Sequence, residues 1–288
     1  MDYGLIVQAL FNALSASSIL VLASLGLAVI FGMMGVINLA HGEFLMLGAY
    51  VTYLIAALGG HVWIGILAAP LAVGMVGVAI ERGIVRWLYG RPVDTLLATW
   101  GLSITLTQLV RIVFGPEGKP LPTLLAGSVS LLGQEFPAYR LLLMGLTAAI
   151  LLIVYAIFRH TNFGLRARAV IANPGMAACL GVATPRIYAA TFGLGAALAG
   201  LAGALLTPLV NVEPTMGLKI IVRTFMVVVA GGAEMLAGTV VAGTLLGSTE
   251  SIVSFFSTAY FGNVALLLLA IVIIRSRPSG LIAREWKP

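Results

Sequence analysis

The 288-residue chain is 60% apolar and only 9% charged, with a net charge of +6 and a single cysteine, whereas soluble domains carry roughly 25% charged residues. Asp, Glu, Lys and Arg are absent between Asp2 and Glu43, between Glu43 and Glu81, and between Glu250 and Arg275; a helix rising about 1.5 Å per residue crosses a bilayer core with about 20 such residues. The composition predicts an all-α polytopic membrane protein, a bundle of eight or nine spans, and excludes a separate soluble catalytic, nucleotide-binding or nucleic-acid-binding unit, while Cys179 alone makes neither an internal disulfide nor a zinc site and is expected to be a small buried residue.

In chain order, spans are predicted at 5–31, 36–58, 62–80, 95–110, 141–158, 187–206, 220–230, 236–255 and 264–274. The first follows Asp2 with no basic segment before it, so it reads as a span that stays and not as a cleaved signal. The stretch 95–110 is short for a crossing, and its ends are expected to extend into the flanking loops. The stretch 220–230 is shorter still, preceded by Lys219 and interrupted by Arg223, as in a half-helix or a broken one.

Basic residues set the orientation. Arg82, Arg86 and Arg91 follow one span; Arg159, Arg166, Arg168 and Arg186 follow another; Arg275, Arg277, Arg284 and Lys287 close the chain. The positive-inside rule places all three groups in the cytoplasm. The 111–140 loop, of mixed charge and carrying Pro116, Pro120, Pro122 and Pro137, fits the outer face. Counting back puts the N-terminus outside. Counting forward requires 220–230 to cross, wholly or by half, for the C-terminus to end inside.

Small residues mark where helices approach. Gly195, Ala199 and Gly203 recur at four-residue spacing, as do Gly243 and Gly247. In lipid such rows let backbones pack closely; the alternative is a smooth face along which a gate slides.

Polar groups inside the apolar runs are the candidate functional residues, because an ionised side chain at the bilayer centre costs about 2.5–3.5 kcal/mol on insertion scales. Asn38, His41 and Glu43 lie between two apolar runs, where Gly32, Gly35 and Gly42 weaken helix continuity. They belong either to an interfacial loop or to a discontinuous helix that lines a translocation path. The His41-x-Glu43 pair has no further cysteine ligands with which to hold zinc. Lys219 and Arg223, four apart, share a helix face; they either snorkel to the outer interface or present a cation to a substrate carboxylate. Glu234 stands at a span junction, and Glu250, inside a span, should face protein or water.

The 159–186 segment has its own signature. Asn173-Pro174 is a helix start, with Asn as N-cap and Pro at the first position. Met176, Ala177 and Leu180 form an apolar stripe, and Gly181 stops the helix. This short amphipathic helix either lies on the lipid surface or is a knob for a groove on a soluble partner.

Four stretches resemble the branched-chain amino acid and amide permeases of bacterial ABC importers: 35–42 (GVINLAHG) with 46–50 (MLGAY); 97–103 (LATWGLS) with 111–115 (RIVFG); the 159–185 loop; and 225–232 (FMVVVAGG) with 277–281 (RPSGL). They run from end to end of the chain in family order. The resemblance implies a single transmembrane permease domain over 1–288, in the inner membrane, pairing with a second similar permease, two cytoplasmic ATPases and an external binding protein. It implies that 173–186, with Asn173, Met176, Ala177, Leu180, Gly181, Pro185 and Arg186, is the helix that docks on the ATPase; the polar residues Asn38, His41, Glu43, Lys219 and Arg223 remain the candidates for the substrate path. No cofactor is expected on this chain itself; ATP and magnesium would be used by the partners. That agrees with the absence of a G-x-x-x-x-G-K-[ST] phosphate loop, since 115–119 (GPEGK) has the wrong spacing. The 98–101 and 225–229 stretches are similar to urea-type members. Arg223, however, is basic where amino-acid-type members carry Lys and urea-type members an acid, and a cation suits a carboxylate. Amino acids are therefore the expected substrate, with urea or a short amide as the alternative. An ion-coupled secondary transporter is a competing reading, against which the core shows few acidic residues. A membrane enzyme built on His41 and Glu43 is another, for which no nucleophile–base set stands out.

Overall fold

The structure, a computed structural model, describes all residues except 1, 2, 123, 126, 132, 233, 234 and 283–288, so Glu234, Arg284 and Lys287 lie outside the described residues. The helices are α1 (Tyr3–Met34), α2 (His41–Ala57), α3 (Val62–Gly83), α4 (Pro92–Phe114), α5 (Ala138–His160), α6 (Asn162–Ala172), α7 (Pro174–Cys179), α8 (Thr184–Leu206), α9 (Met216–Gly231), α10 (Met235–Phe256) and α11 (Ala259–Ser276). Among the described residues seven of these are long and apolar enough to cross a membrane: α1, α3, α4, α5, α8, α10 and α11. The chain is an all-α polytopic membrane protein, as its composition predicts.

Most helices run a few residues beyond the expected spans, and three stretches bear on the site. The span expected at 36–58 begins only at His41, because Gly35 takes a left-handed φ of 62° that ends α1, a conformation glycine alone adopts freely. Residues 35–40 then run as non-helical backbone. The stretch 95–110 extends at both ends, as expected, to give α4, with Pro92 in its first turn. The 220–230 stretch becomes the 16-residue α9, about 24 Å long and short of a bilayer core of about 30 Å. The 111–140 loop also holds a feature that sequence reasoning did not foresee, an antiparallel hairpin of β1 (Ser128–Leu131) and β2 (Gln134–Pro137).

The chain divides into two compact units, residues 1–24, 123–150 and 222–288, and residues 25–122 and 151–221. In the second unit α2, α3 and α8 form the core. Phe44 and Phe192, both fully buried, meet edge to face with centroids 6.0 Å apart. Gly48 lies against the backbone of Gly200, and Gly203 against the carbonyl of Leu45, with no space for a Cβ at either position. Gly195 and Ala199 of the expected row face Gly26 of α1. The row is thus a packing face.

In the first unit α10 and α11 pack with Leu20 of α1 and Val227 and Ala230 of α9 around Leu246 and Leu266. Gly243 and Gly247 face Val21 and Ser17 of α1, and Ser17 donates a hydrogen bond to the Thr244 carbonyl (3.1 Å). The hairpin is held by Phe136 on Phe11 (4.2 Å between centroids) and by Gln8 donating to Gln134 (2.7 Å). Beyond α11 the chain folds back, and Leu281 N–H donates to the Ala230 carbonyl at 2.9 Å, with Gly280 against Gly232. The 225–232 and 277–281 stretches, distant in sequence, therefore form one closure.

Candidate functional site

The polar residues at the break between α1 and α2 are buried. Asn38, His41 and Glu43 are each 0–1% exposed, which an interfacial loop would not give. Asn38 Oδ1 accepts from Ala40 N–H (3.0 Å), a local turn that redirects the chain into α2. The freed backbone is taken up by α4: Leu39 N–H donates to Thr99 Oγ1 (3.2 Å), and Thr99 Oγ1 lies 3.3 Å from the Ile37 carbonyl that it can donate to. A non-helical segment between two apolar helices needs its backbone satisfied by protein in this way if it lies within the bilayer.

His41 and Glu43 pack against different helices. The His41 imidazole packs against Gly26 of α1, while Glu43 turns to α4, where Thr107 donates to Oε1 at 3.5 Å and Ser103 also hydrogen-bonds the carboxylate. Two residues apart on a helix means nearly opposite faces.

The residues missed by sequence reasoning are the partners on α4. Thr95, Thr99, Ser103 and Thr107 are each 1–5% exposed, whereas Leu97, Trp100, Ile104 and Ile112 of the same helix are exposed. α4 is therefore inside-out, its polar stripe inward and its apolar stripe outward. The signal was present as hydroxyl residues at every fourth position, continued by Arg111. Four buried side-chain atoms of the break, α2 and α4 have no hydrogen-bond partner among the described residues: Asn38 Nδ2, Glu43 Oε2, Tyr50 OH and Arg111 Nε. Buried polar groups of this kind are normally satisfied by ordered water or a ligand.

This gives an expected result. Ser103→Ala with Thr107→Val should strip Glu43 of both α4 donors and cost about 0.6–2 kcal/mol per lost bond, read as a lower thermal midpoint in detergent. Glu43→Gln, which keeps the shape and can accept the same bonds, should cost less; equal losses would mean that the carboxylate is not held by these hydroxyls.

Lys219 and Arg223 both lie on α9 but have different partners. Lys219 pairs with Glu213. Arg223 pairs with Glu250 at 2.8 Å, with their side chains 37% and 17% exposed. Glu250 thus faces protein, as expected of an acid inside a span, and the charge on Arg223 is already matched.

The turns of the 159–186 segment are built as its sequence specifies. Asn173 Oδ1 accepts from Met176 N–H (2.9 Å), Pro174 opens α7, and Gly181, with φ 83°, ends the turn after it. Pro185 stands in the first turn of α8, and Arg186 beside it is exposed. The expected stripe divides: Ala177 is buried, while Met176 and Leu180 are 60% and 76% exposed. Cys179, expected to be buried, is exposed, because it occupies the last position of a six-residue helix whose inner contact is made by Ala177.

Comparison with known proteins gives a consistent result. Residues 9–274 match the family model described as branched-chain amino acid transport system / permease component. The chain is similar to the high-affinity branched-chain amino acid transport system permease protein BraD of Pseudomonas aeruginosa, 31% identical over 96% of this chain and 95% of the relative. It is likewise similar to the permease protein LivH of Salmonella typhimurium, 28% identical with the same coverage. A solved structure, PsaBC from Streptococcus pneumoniae in complex with Fab, shares the fold with a TM-score of 0.53 at 15% identity, over 96% of this chain and 92% of that one.

Proposed function

The chain belongs to the family of branched-chain amino acid transport system permease components, and from that premise we propose that it carries branched-chain amino acids through the membrane in an assembly powered by partner ATPases. In this reading a second, similar permease completes the pathway, an external binding protein delivers substrate, and two cytoplasmic ATPases hydrolyse magnesium–ATP. The chain hydrolyses nothing itself. The relatives named above support amino acids over urea. The arginine-rich connections would face the cytoplasm, and the hairpin the outside.

The observation that carries this reading is α7. A six-residue helix that is capped, stopped and anchored by Ala177 presents Met176 and Leu180 outward. Lone apolar side chains are common on surfaces, but two on a rigid one-turn knob are suited to a groove. Through that contact ATP-driven closure would favour one facing of the pore by differential contacts. The buried α2–α4 polar column, with Asn38, His41 and Glu43, would line the path.

Mild-detergent purification of the tagged chain from its own cells tests this. Co-purification of an ATPase and a second permease, with a binding protein that retains leucine, isoleucine or valine, is expected. Uphill solute movement by the chain alone in liposomes on an ion gradient would overturn it. Arg223 gives a narrower prediction. Arg223→Ala should reduce uptake of a branched-chain amino acid at least ~tenfold more than uptake of its neutral amide, the scale of a charge-assisted hydrogen bond. Arg223→Ala with Glu250→Gln should restore stability lost by unpairing Glu250 but not carboxylate uptake. Equal loss for acid and amide would leave Arg223 a purely structural partner of Glu250.

A further inference from the structure

The first compact unit contains a cavity that the transport reading does not use. It has a volume of about 320 Å³ and is lined by Asn12, Ser15, Ala16 and Ile19 of α1, Arg140 of α5, and Ser251, Ser254 and Phe255 of α10. Its walls combine one cation, three hydroxyls and a carboxamide with an apolar edge.

Arg140 has no acid. Among the described residues no carboxylate lies within 4.0 Å of it. Glu250, adjacent in sequence to Ser251, is engaged by Arg223 at 2.8 Å, and Glu135 accepts from Ser128 at 2.9 Å. Arg140 Nη1 donates to Asn12 Oδ1 at 3.1 Å. That bond orients the guanidinium but uses one of its five N–H donors and supplies no charge. A guanidinium held in place beside hydroxyl donors, without a counter-ion, is the arrangement that takes an oxyanion in bidentate fashion. The first turn of α5, two residues before Arg140, adds the positive end of a helix dipole.

Position indicates the source. Arg140 stands where α5 begins, and Phe255 is one residue from the end of α10, so the cavity is at the level where helices leave the apolar layer. Ile19, Ala16 and Phe255 supply an apolar flank. A phosphate at that level with acyl chains along the flank satisfies both halves of the cavity.

We propose that this cavity is an oxyanion site centred on Arg140, and that its occupant is the phosphate of a membrane phospholipid. The full chain, purified in neutral detergent, is titrated by native mass spectrometry with phosphatidylglycerol, with diacylglycerol of the same acyl chains, and with two soluble oxyanions, glycerol phosphate and L-leucine. Phosphatidylglycerol should bind and diacylglycerol should not, and Arg140→Gln should weaken the phospholipid at least ~tenfold, with Arg140→Lys between. Arg140-dependent binding of a soluble oxyanion without the phospholipid would keep the site and reassign its source. Should Arg140→Gln fail to fold, Ser251→Leu, which narrows the cavity and leaves the guanidinium, should exclude the ligand to the same degree. Binding of phosphatidylglycerol unchanged in the folded variant, or no Arg140-dependent binding of any probe, would overturn the proposal.

Discussion

Met176→Asp with Leu180→Asp should leave the chain inserted and folded but abolish uptake and the capture of an ATPase. Both side chains point outward from α7, at 60% and 76% exposure, so the fold loses little by their replacement. Covering two such side chains on a partner contributes about 1.5–3 kcal/mol each. Two carboxylates in their place forfeit that burial and must be desolvated unpaired. A loss of about 3–6 kcal/mol is a factor of about 10² to 10⁴ in affinity, enough to empty the contact at cellular concentrations. Ala177→Asp is the contrasting variant. Ala177 is 2% exposed, and its carbonyl accepts from Val182 N–H at 3.0 Å, so a carboxylate there should disrupt the turn itself. The outward pair thus separates docking from folding. A wild-type yield of co-purified ATPase with the double variant would remove α7 as the contact.

The same experiment separates the competing transport readings. An ion-coupled transporter draws on charges inside its own core and would be indifferent to α7. Glu43, buried with one carboxylate oxygen unpartnered, is the residue such a mechanism would use. If Glu43→Gln abolished uptake while the α7 double variant did not, coupling would lie in the core. The reverse pattern supports an external motor.

Much of this was legible in the sequence, for reasons particular to each element. The spans were readable because bilayer burial requires long uncharged runs, and α7 because Asn173, Pro174 and Gly181 act locally, each on its own turn. The α1–α2 break was visible as clustered glycine and polar residues, but its extent was not. Gly32, Gly35 and Gly42 look alike in sequence, yet Gly35 alone of the three takes a left-handed φ, while Gly42 lies inside a helix against Gly217. The α4 stripe went unread because threonine and serine are neutral enough to hide in an apolar average; only their four-residue spacing marks the buried face. The Arg223–Glu250 pair was not legible, since the two residues are 27 apart and meet only through tertiary packing. Cys179 failed for the opposite reason: a small residue is buried by default, and a one-turn helix has too little inner face to bury it.

Gly203→Val should be the most destabilising single substitution in the core of α2, α3 and α8. At this position a Cβ would meet the Leu45 carbonyl oxygen and carbon, both main-chain atoms of α2, and a main chain within a helix cannot turn aside as a side-chain tip can. Relief requires the helices to separate. Separation also pulls Gly48 from Gly200 and loosens Phe44 from Phe192, because these contacts lie along the same two helices. Overpacking in a close-packed core costs about 1–3 kcal/mol when side chains can yield, and here the yielding must be done by backbone. In lipid no hydrophobic gain between helices compensates, since close contact is itself what holds them together. The expected result is correct insertion with a thermal midpoint lowered by several degrees or more and transport lost, because residues 41–43, at the head of α2, lose their setting. Gly83→Ala, where a Cβ meets nothing within 4 Å, should leave both unchanged. A Gly203→Val protein with the wild-type midpoint would show that α2 and α8 do not meet at this register, and with that the placement of the buried polar column on α2 and α4 would fall.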